Sequence, residues 1–363
     1  MRGAKGILAG IAVVALLIGA AQSRAAETAP RAGTPASSPS PSTAPSPAAE
    51  PQAPASPSPR PTPSPSAARK LQPVVVTATR MEEPLAEVGT TVTVVEDKQI
   101  ESQKIRQVGA VLQQVPGVTV TQTGSPGSVT NVSIRGSSSA QTLILIDGVE
   151  TNAGATGAFD IANLNTDDLE RIEVVRGAGG SIYGSQAIGG VINLLSREGE
   201  GAPKFSVLSE GGNGASQRQR ATVSGANGEL GYSGALSYFS TDGFRPINDS
   251  SDNLAGALRL DYHPCEDTTI RGFARYSRSN VSLVNFSIFS GIALDPHAHQ
   301  RGEFMLLKGE IEHWFSKRLL GRGSAFFVRQ DIRINETPFT GSATIETDHI
   351  ADETRGGNLE ALY

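Results

Sequence analysis

The hydrophobic and polar positions of this chain fall into four segments with different spacing. In the first, residues 1–26, an uncharged apolar run from Ile7 to Ala21 follows Arg2 and Lys5 and precedes several small residues. This pattern is typical of a cleaved secretory signal, because the run is short for a membrane-spanning helix. An uncleaved membrane anchor is the alternative. Either interpretation takes the rest of the chain out of the cytoplasm.

Residues 27–72 form the second segment and consist almost entirely of Pro, Ala, Ser and Thr. Such a composition cannot bury a core, and its alternating prolines favour an extended polyproline II tether. Residues 73–80 then bring three consecutive β-branched side chains, Val74 to Val76, between the tether and a more varied sequence. We expect this run to add as a strand to a partner's sheet edge, or to form the first strand of the next domain.

The third segment, residues 85–200, mixes short alternating patterns with helical spacing and predicts one small α+β domain. Pro116-Gly117 ends a helical pattern, and Asp147-Gly148 is a turn signal between strands. Roughly 115 residues suffice for one modest core. Strands are predicted at 90–95, 118–121, 132–136, 143–146, 172–176 and 191–195, and helices at 96–103 and 108–115.

In the fourth segment, residues 201–363, apolar and polar positions alternate with a period of two, which predicts antiparallel strands. Charges on one face fit strands between lipid and a wet lumen, and they also fit a soluble sandwich with one solvated face. Aromatic residues near strand ends favour the membrane interpretation. Strands are predicted at 204–210, 217–226, 229–241, 253–263, 268–279, 303–315, 319–334 and 353–363, with short and long connections alternating.

Composition narrows the function classes. A net charge of −5 offers no footprint for nucleic acid, and the single cysteine, Cys265, excludes internal disulfides and cysteine metal clusters. Residues 85–200 contain no histidine, so they hold no Ser/His/Asp set. The glycine-rich stretch 176–184 lacks the Lys-Ser/Thr pair of a phosphate-binding loop. We therefore expect no enzyme.

Five stretches of the third segment carry a family pattern: Val111–Val118, Ile134–Gly136, Leu145–Val149, Ile172–Gly177 and Ser181–Asn193. Their order and spacing resemble the plug domain of TonB-dependent outer-membrane receptors, with most likeness to the vitamin B12 (cobalamin) receptors. The resemblance implies an α+β plug domain followed by a transmembrane antiparallel β-barrel of the 22-strand class, of which about the first eight strands are present. Such a barrel needs more than roughly 400 residues after the plug. We expect this chain alone neither to close nor to transport, and the rest of the barrel to hold the partners of two plug arginines.

The resemblance also implies roles for individual residues. Arg135 and Arg176 match those plug arginines, which face carboxylates on the barrel wall; pairing inside the plug, for example with Glu173, is the alternative. Loops 122–131 and 150–163 match substrate-contacting loops, with plain connectors as the alternative. The TonB box, which would pair with TonB and its inner-membrane energising complex, matches Pro73, Val74, Val75, Val76, Thr77, Ala78 and Thr79. The candidate substrate ligands are Gln122, Ser125, Ser128, Asn131, Asn152 and Thr156.

Two later stretches carry candidate metal ligands. Asp242, Asp249 and Asp252, together with Asn248 and Asn253, offer the oxygen ligands that Ca²⁺ prefers, although their spacing departs from the family's calcium loop. The run from Asp295 to His299 could ligate a metal or be a solvated loop. No other cofactor is expected.

The function implied by the resemblance is active import of a scarce nutrient across the outer membrane of a Gram-negative-type bacterium. Cobalamin is the first choice of cargo, and a ferric siderophore is the alternative. From another class, the chain could be a surface signalling or adhesion protein on a barrel scaffold. A signalling receptor of the family usually carries a further folded domain before the TonB box, where this chain has its proline tether. Outer-membrane lipid is expected around the strands.

Overall fold

The computed structural model describes residues 75–76, 83–84, 91–124, 126–152, 157–177, 183–244, 249–283, 298–336 and 346–362. The predicted signal and tether lie outside these residues. The described residues all belong to one unit, Lys70–Tyr363. None of its described helices is long and apolar enough to cross a bilayer.

The plug domain is built on a five-stranded sheet with the order β3-β8-β9-β6-β7. Its β6 carries the apolar run Leu143–Ile146, and all five residues of the strand are buried, as expected for a strand covered on both faces. A two-stranded hairpin, β4–β5, packs beside the sheet, and a two-residue ladder joins β1 to β2. The bounds are β1 Val75–Val76, β2 Glu83–Pro84, β3 Thr91–Glu96, β4 Val118–Gln122, β5 Thr130–Ile134, β6 Thr142–Ile146, β7 Val149–Glu150, β8 Leu169–Arg176 and β9 Gly190–Ser196.

Two short helices complete the plug: α1, Asp97–Gln103, and α2, Val108–Leu112. Helix α1 ends where Lys104 adopts a left-handed conformation with φ of 53°. Helix α2 ends three residues before the predicted Val115, because the chain turns to reach Gly117, whose φ of +80° suits only glycine well. Four of the five α2 residues are buried in the plug core.

Eight antiparallel strands follow the plug and pair in chain order. Their bounds are β10 Lys204–Gly211, β11 Gln217–Asn227, β12 Leu230–Thr241, β13 Ser251–Cys265, β14 Thr268–Ser282, β15 His299–Ser316, β16 Leu319–Glu336 and β17 Glu346–Leu362. Two-residue turns join β11 to β12, β13 to β14 and β15 to β16, whereas the other connections are longer. All eight predicted strands and the alternation of short and long connections are confirmed. We call the two rims the short-turn end and the long-loop end.

The faces of this sheet are distinguished by their contacts with the plug. Phe304, Leu306 and Val328 belong to the same buried cluster as the plug core, so even-numbered residues of β15 and β16 face the plug. Leu307 and Ile311 point the other way and are exposed. The plug therefore lies against one face of the sheet, which we call the inner face, and an apolar band covers the outer face.

Candidate functional site in the plug and its contacts with the barrel wall

The loops predicted to touch substrate reach the barrel at its long-loop end. The loop of the β4–β5 hairpin places Gly127 against Val281, the penultimate residue of β14, and Ser251, the first residue of β13. The second loop ends at Asn163, whose amide oxygen accepts a hydrogen bond from Asn253 at 3.4 Å. Both loops thus lie against the long-loop ends of β13 and β14.

Individual candidate ligands in these loops differ in their accessibility. Gln122 is exposed at the end of β4, and Asn131 is half-buried in β5. Ser128 is only 1% exposed, and its hydroxyl has no hydrogen-bond partner among the described residues. Ser125 and Thr156 lie outside the described residues. Substrate contact by any of them stays a prediction.

Asn152 is fixed within the plug. Its Oδ1 accepts a hydrogen bond from the Ile144 amide at 2.7 Å, and its Nδ2 donates to the carbonyls of Thr142 and Gly157, both at 3.0 Å. The side chain is buried. Contact between Asn152 and a substrate would therefore require this loop to rearrange.

Asp160 connects the two substrate loops. Its Oδ1 accepts hydrogen bonds from the Thr130 amide at 2.8 Å, on the hairpin side, and from the Ala162 amide at 2.9 Å, in the second loop. Desolvation by the surrounding plug raises the pKa of this carboxyl, and the two amide donors lower it by less. Displacement of either loop would disturb the other through this shared oxygen.

The two predicted plug arginines make contacts inside the plug. Arg176 donates from Nη1 to the Pro116 carbonyl and from Nη2 to the Thr93 hydroxyl, both at 2.7 Å. Arg135 is exposed beside Gly177. Within the residues that the structure describes, no salt bridge joins either arginine to a barrel strand. Their pairing with barrel carboxylates stays a prediction.

In the observed ion pairs between plug and barrel, the carboxylates come from the plug and the arginines from the barrel, the reverse of the pairing predicted for Arg135 and Arg176. Asp167 accepts a hydrogen bond from Arg218 at 2.5 Å and lies 3.4 Å from Arg220, while Asp168 pairs with Arg275. The side chains of Asp168 and Arg275 are 10% and 8% exposed. Burial raises the pKa of Asp168, although the Arg275 charge lowers it. We call these five residues the aspartate clamp.

Barrel cations also cap plug carbonyls. Arg259 donates to the Ser196 carbonyl and Lys308 donates to the Asp147 carbonyl, both at 2.8 Å. The Asp147 carboxylate in turn accepts bonds from the amide and hydroxyl of Ser196, each at 2.7 Å. The Asp147-Gly148 turn that the sequence predicts is thus also an anchor point on the barrel wall.

Sequence reasoning missed these contacts. The available signal was the Asp167-Asp168 pair a few residues before the predicted strand 172–176, together with arginines on one face of the barrel strands. Their partnership joins residues 51 and 107 positions apart, so only the packing of the plug against the sheet reveals it.

A polar cavity of about 700 Å³ is lined by the Asp147-Gly148 turn and other plug residues on one side and by strands β13 to β17 on the other. Its wall carries a charge network in which Arg271 bonds Glu310 at 2.9 Å and Glu312 at 2.6 Å. Lys308 pairs with Glu310 at 2.6 Å. Because these charges keep a strongly hydrated surface, the cavity suits a polar solute better than an apolar one.

The candidate calcium ligands do not converge in the described residues. Asp249 accepts a hydrogen bond from the Phe244 amide at 2.8 Å, Asp252 accepts one from Asn280 at 3.4 Å, and Asp242 is exposed. No group of three His, Cys, Asp or Glu side chains in the described part of the chain lies close enough to hold a metal ion. Asn248 lies outside those residues, so calcium binding stays a prediction.

The candidate metal run at 295–299 is described only in part. His299 bonds Asn335 at 2.8 Å. Asp295 and His297 lie outside the described residues.

Part of the predicted TonB box is already a strand. Val75 pairs with Pro84 and Val76 with Glu83 in an antiparallel ladder. The rest of segment 73–80 lies outside the described residues. These valines can thus adopt strand geometry, and their pairing with TonB stays a prediction.

Comparison with known proteins agrees with this architecture. Residues 84–191 match the family model of the TonB-dependent receptor plug domain. The chain is 42% identical over 146 residues to the vitamin B12 transporter BtuB of Vibrio vulnificus, covering 40% of this chain and 24% of that protein. It is 34% identical over 172 residues to BtuB of Photobacterium profundum, covering 47% of this chain and 28% of that protein. The chain spans about a quarter of the length of these curated relatives.

Solved structures share the fold at low identity. The pyoverdine receptor FpvA of Pseudomonas aeruginosa matches with a TM-score of 0.67 and 18% identity, over 78% of this chain and 44% of that one. The unliganded ferric citrate transporter FecA matches with a TM-score of 0.66 and 17% identity, over 80% of this chain and 47% of that one. Residues 84–191 therefore match the plug domain of TonB-dependent receptors, and together with the eight strands that follow they share the fold of these solved receptors.

Proposed function

We propose that this chain serves TonB-driven import of cobalamin across the outer membrane. The observation that carries the choice of cargo is the 42% and 34% identity to proteins named vitamin B12 transporters, against 15–18% to the solved siderophore receptors. An identity of 15–18% supports a shared fold alone. An identity of 34% or 42% supports a related function in the part of the receptor that the match covers.

In this proposal, cobalamin binds at the long-loop end, between the plug loops and the barrel connections. Asp160 holds the two plug loops together through one carboxylate oxygen. A ligand that displaces the second loop would therefore also shift the β4–β5 hairpin. That coupling gives bound substrate a way to report its presence to the rest of the plug.

In this proposal, TonB delivers the energy for transport by binding the TonB box. Val74 to Thr79 would pair with TonB as an added strand, with main-chain hydrogen bonds supplying the affinity. Only the two-residue ladder between β1 and β2 competes for Val75 and Val76 in the described residues. Since so short a ladder has little stability of its own, exchange onto TonB is feasible.

Pulling would then remodel the plug unevenly. The aspartate clamp ties the plug to β11 and β14, whereas the polar cavity lies along β13 to β17. Arg259 and Lys308, which border the cavity, bond neutral plug carbonyls, whereas the clamp consists of buried ion pairs. We infer that the solute passes along the cavity side.

The experiment that tests the cargo is an equilibrium titration of the purified receptor, with a complete barrel, with cyanocobalamin, ferric pyoverdine and ferric citrate. We expect saturable binding of cyanocobalamin and no binding of the two ferric complexes. If Asp242, Asp249 and Asp252 bind Ca²⁺, cyanocobalamin should bind more tightly with Ca²⁺ than with a chelator. Binding of a ferric siderophore without cyanocobalamin would replace cobalamin by the alternative cargo. Binding of none of them would favour a signalling or adhesion role.

A further inference from the structure

Ser196, the last residue of β9, lies where the plug meets two barrel strands, and it is only 7% exposed. Its amide and its hydroxyl each donate to the Asp147 carboxylate at 2.7 Å, one to each oxygen. The same hydroxyl accepts a hydrogen bond from Arg275 Nη2 at 3.4 Å, and the Ser196 carbonyl accepts one from Arg259 at 2.8 Å. A hydroxyl has one proton and two lone pairs, so it can donate to Asp147 and accept from Arg275 at once.

Arg275 brings the aspartate clamp to this point. Its Nη2 atom also pairs with the Asp168 carboxylate, and Asp168 directly precedes β8. The Asp168 carbonyl in turn accepts a hydrogen bond from the Arg197 amide at 2.7 Å. Because the side chains of Arg275 and Asp168 are largely buried, water does not readily replace a lost partner. One barrel guanidinium thus joins the start of β8 to the end of β9.

The Asp147-Gly148 turn is held through two groups of the same residue. Asp147 and Gly148 have φ of 50° and 76°, the pattern of a two-residue type I′ turn between β6 and β7. Aspartate adopts a positive φ at some cost in energy, so the surrounding bonds maintain it. Ser196 holds the Asp147 carboxylate, and Lys308 of β15 donates to the Asp147 carbonyl at 2.8 Å. The turn also borders the polar cavity.

We propose that Ser196 is a positioning residue that couples the Asp147-Gly148 turn to the aspartate clamp, so that the two open together. Lys308 keeps Glu310 as a partner at 2.6 Å after its bond to the turn breaks, whereas Ser196 contacts the turn through two hydrogen bonds. Release of Lys308 therefore leaves the turn attached to the clamp. For transport, and here the inference rests on the proposed function, the cavity side of the plug stays closed until both links have broken.

Substitutions at the two ends of this link separate it from the fold. Ser196→Ala removes the hydroxyl and leaves the amide bond to Asp147, whereas Ser196→Thr keeps the hydroxyl and suits a strand. Asp147→Gly removes the carboxylate, and a Gly-Gly pair keeps both the type I′ turn and the carbonyl that Lys308 bonds. Ser237→Ala is the matched control, because Ser237 is a buried barrel serine that accepts a hydrogen bond from Asn165 of the plug at 3.0 Å.

Hydrogen exchange in a receptor with a complete barrel, without substrate or TonB, measures the coupling. The Asp147 amide, which bonds the Leu194 carbonyl at 2.9 Å, reports on the turn. Asp168→Asn weakens the clamp, and it should lower the protection of that amide about fivefold or more, as for residues in one hydrogen-bond network. In the Ser196→Ala or the Asp147→Gly background, the same substitution should change the protection less than about twofold. Ser196→Thr and Ser237→Ala should leave the effect of Asp168→Asn in place.

Two results would overturn the proposal at once: no effect of Asp168→Asn on the Asp147 amide, or an effect that persists in the Ser196→Ala and Asp147→Gly backgrounds. Loss of the effect in Ser196→Thr or in Ser237→Ala would also overturn it, because the coupling would then follow packing and not the hydroxyl. If Ser196→Ala does not fold, Asp147→Gly carries the same test. Failure of cobalamin to bind would overturn only the proposed cargo, since the exchange is read without substrate.

Discussion

At the residue scale, Asp167 and Asp168 carry the connection between plug and barrel. Each is largely buried and each pairs with a barrel arginine. A buried pair adds little over a well-packed apolar contact, but loss of one partner leaves a desolvated charge behind. The aspartate clamp is therefore expected to matter most when it is half broken.

Replacing Asp168 by alanine should lower the free energy of opening of β8 by about 3–5 kcal/mol, because Arg275 would remain buried without its partner. Hydrogen exchange of the β8 amides measures that quantity. Glu170→Ala is the matched control, since its salt bridge with Arg171 is partly exposed and should be worth about 1 kcal/mol or less. Equal effects of the two substitutions would contradict a buried clamp.

Asp160 should make the junction of the two substrate loops sensitive to pH. Burial raises its pKa in the folded protein, so ionisation costs stability as pH rises through that value. Asp160→Asn keeps the acceptor oxygen but cannot ionise. Its loop amides should be as protected as those of the unsubstituted chain at low pH, where both are neutral, and better protected at neutral pH.

Hydrogen exchange at Thr130 and Ala162, corrected for the intrinsic effect of pH, gives the comparison. A difference that stayed constant between pH 4 and pH 8 would rule out the raised pKa. A variant less protected at neutral pH would mean that the negative charge itself holds the loops.

At the scale of elements, the β4–β5 hairpin is positioned by close contact as much as by its own ladder. Gly127 has a φ of +96°, and a Cβ there would come within 2.9 Å of Val281 Cγ2. Gly136 also has a positive φ, of +76°, but a Cβ there meets nothing within 4 Å. The two glycines therefore separate backbone strain from contact with the barrel.

Gly127→Ala should displace the hairpin loop from the barrel and weaken cyanocobalamin binding several-fold beyond the effect of Gly136→Ala. Both substitutions carry a similar backbone cost of about 1 kcal/mol, so the difference between them reports the contact with Val281. A titration of the two variants measures it. Matching affinities would mean that this loop takes no part in the binding site.

At the scale of the whole molecule, the sequence predicts the architecture more fully than the contacts. The period of two predicts every barrel strand, since successive side chains of a strand point to opposite faces of the sheet. The sequence pattern places the start of β15 at residue 303, whereas the strand begins at His299. Arg301 and Glu303 are polar residues on the outward face, beyond the apolar band, so apolar and polar positions no longer alternate there.

The contacts of the candidate site are predicted less fully from the sequence than the strands are. Family likeness identifies the plug, but it cannot reveal that Arg176 bonds the Pro116 carbonyl or that Asp168 meets Arg275. Those partnerships depend on how the plug docks against strands far along the chain. The sequence shows which charged residues are present, whereas the packing of the plug against the strands determines which of them pair.

The most direct test of TonB-driven import is to delete Val74–Thr79 from a receptor with a complete barrel and to measure binding and uptake of radiolabelled cyanocobalamin by cells that produce it. The segment lies before the plug core, so its removal should leave the substrate loops intact. Surface binding should stay unchanged while uptake falls to the level of cells without the receptor. Uptake that persists after the deletion would contradict TonB-driven import through this receptor.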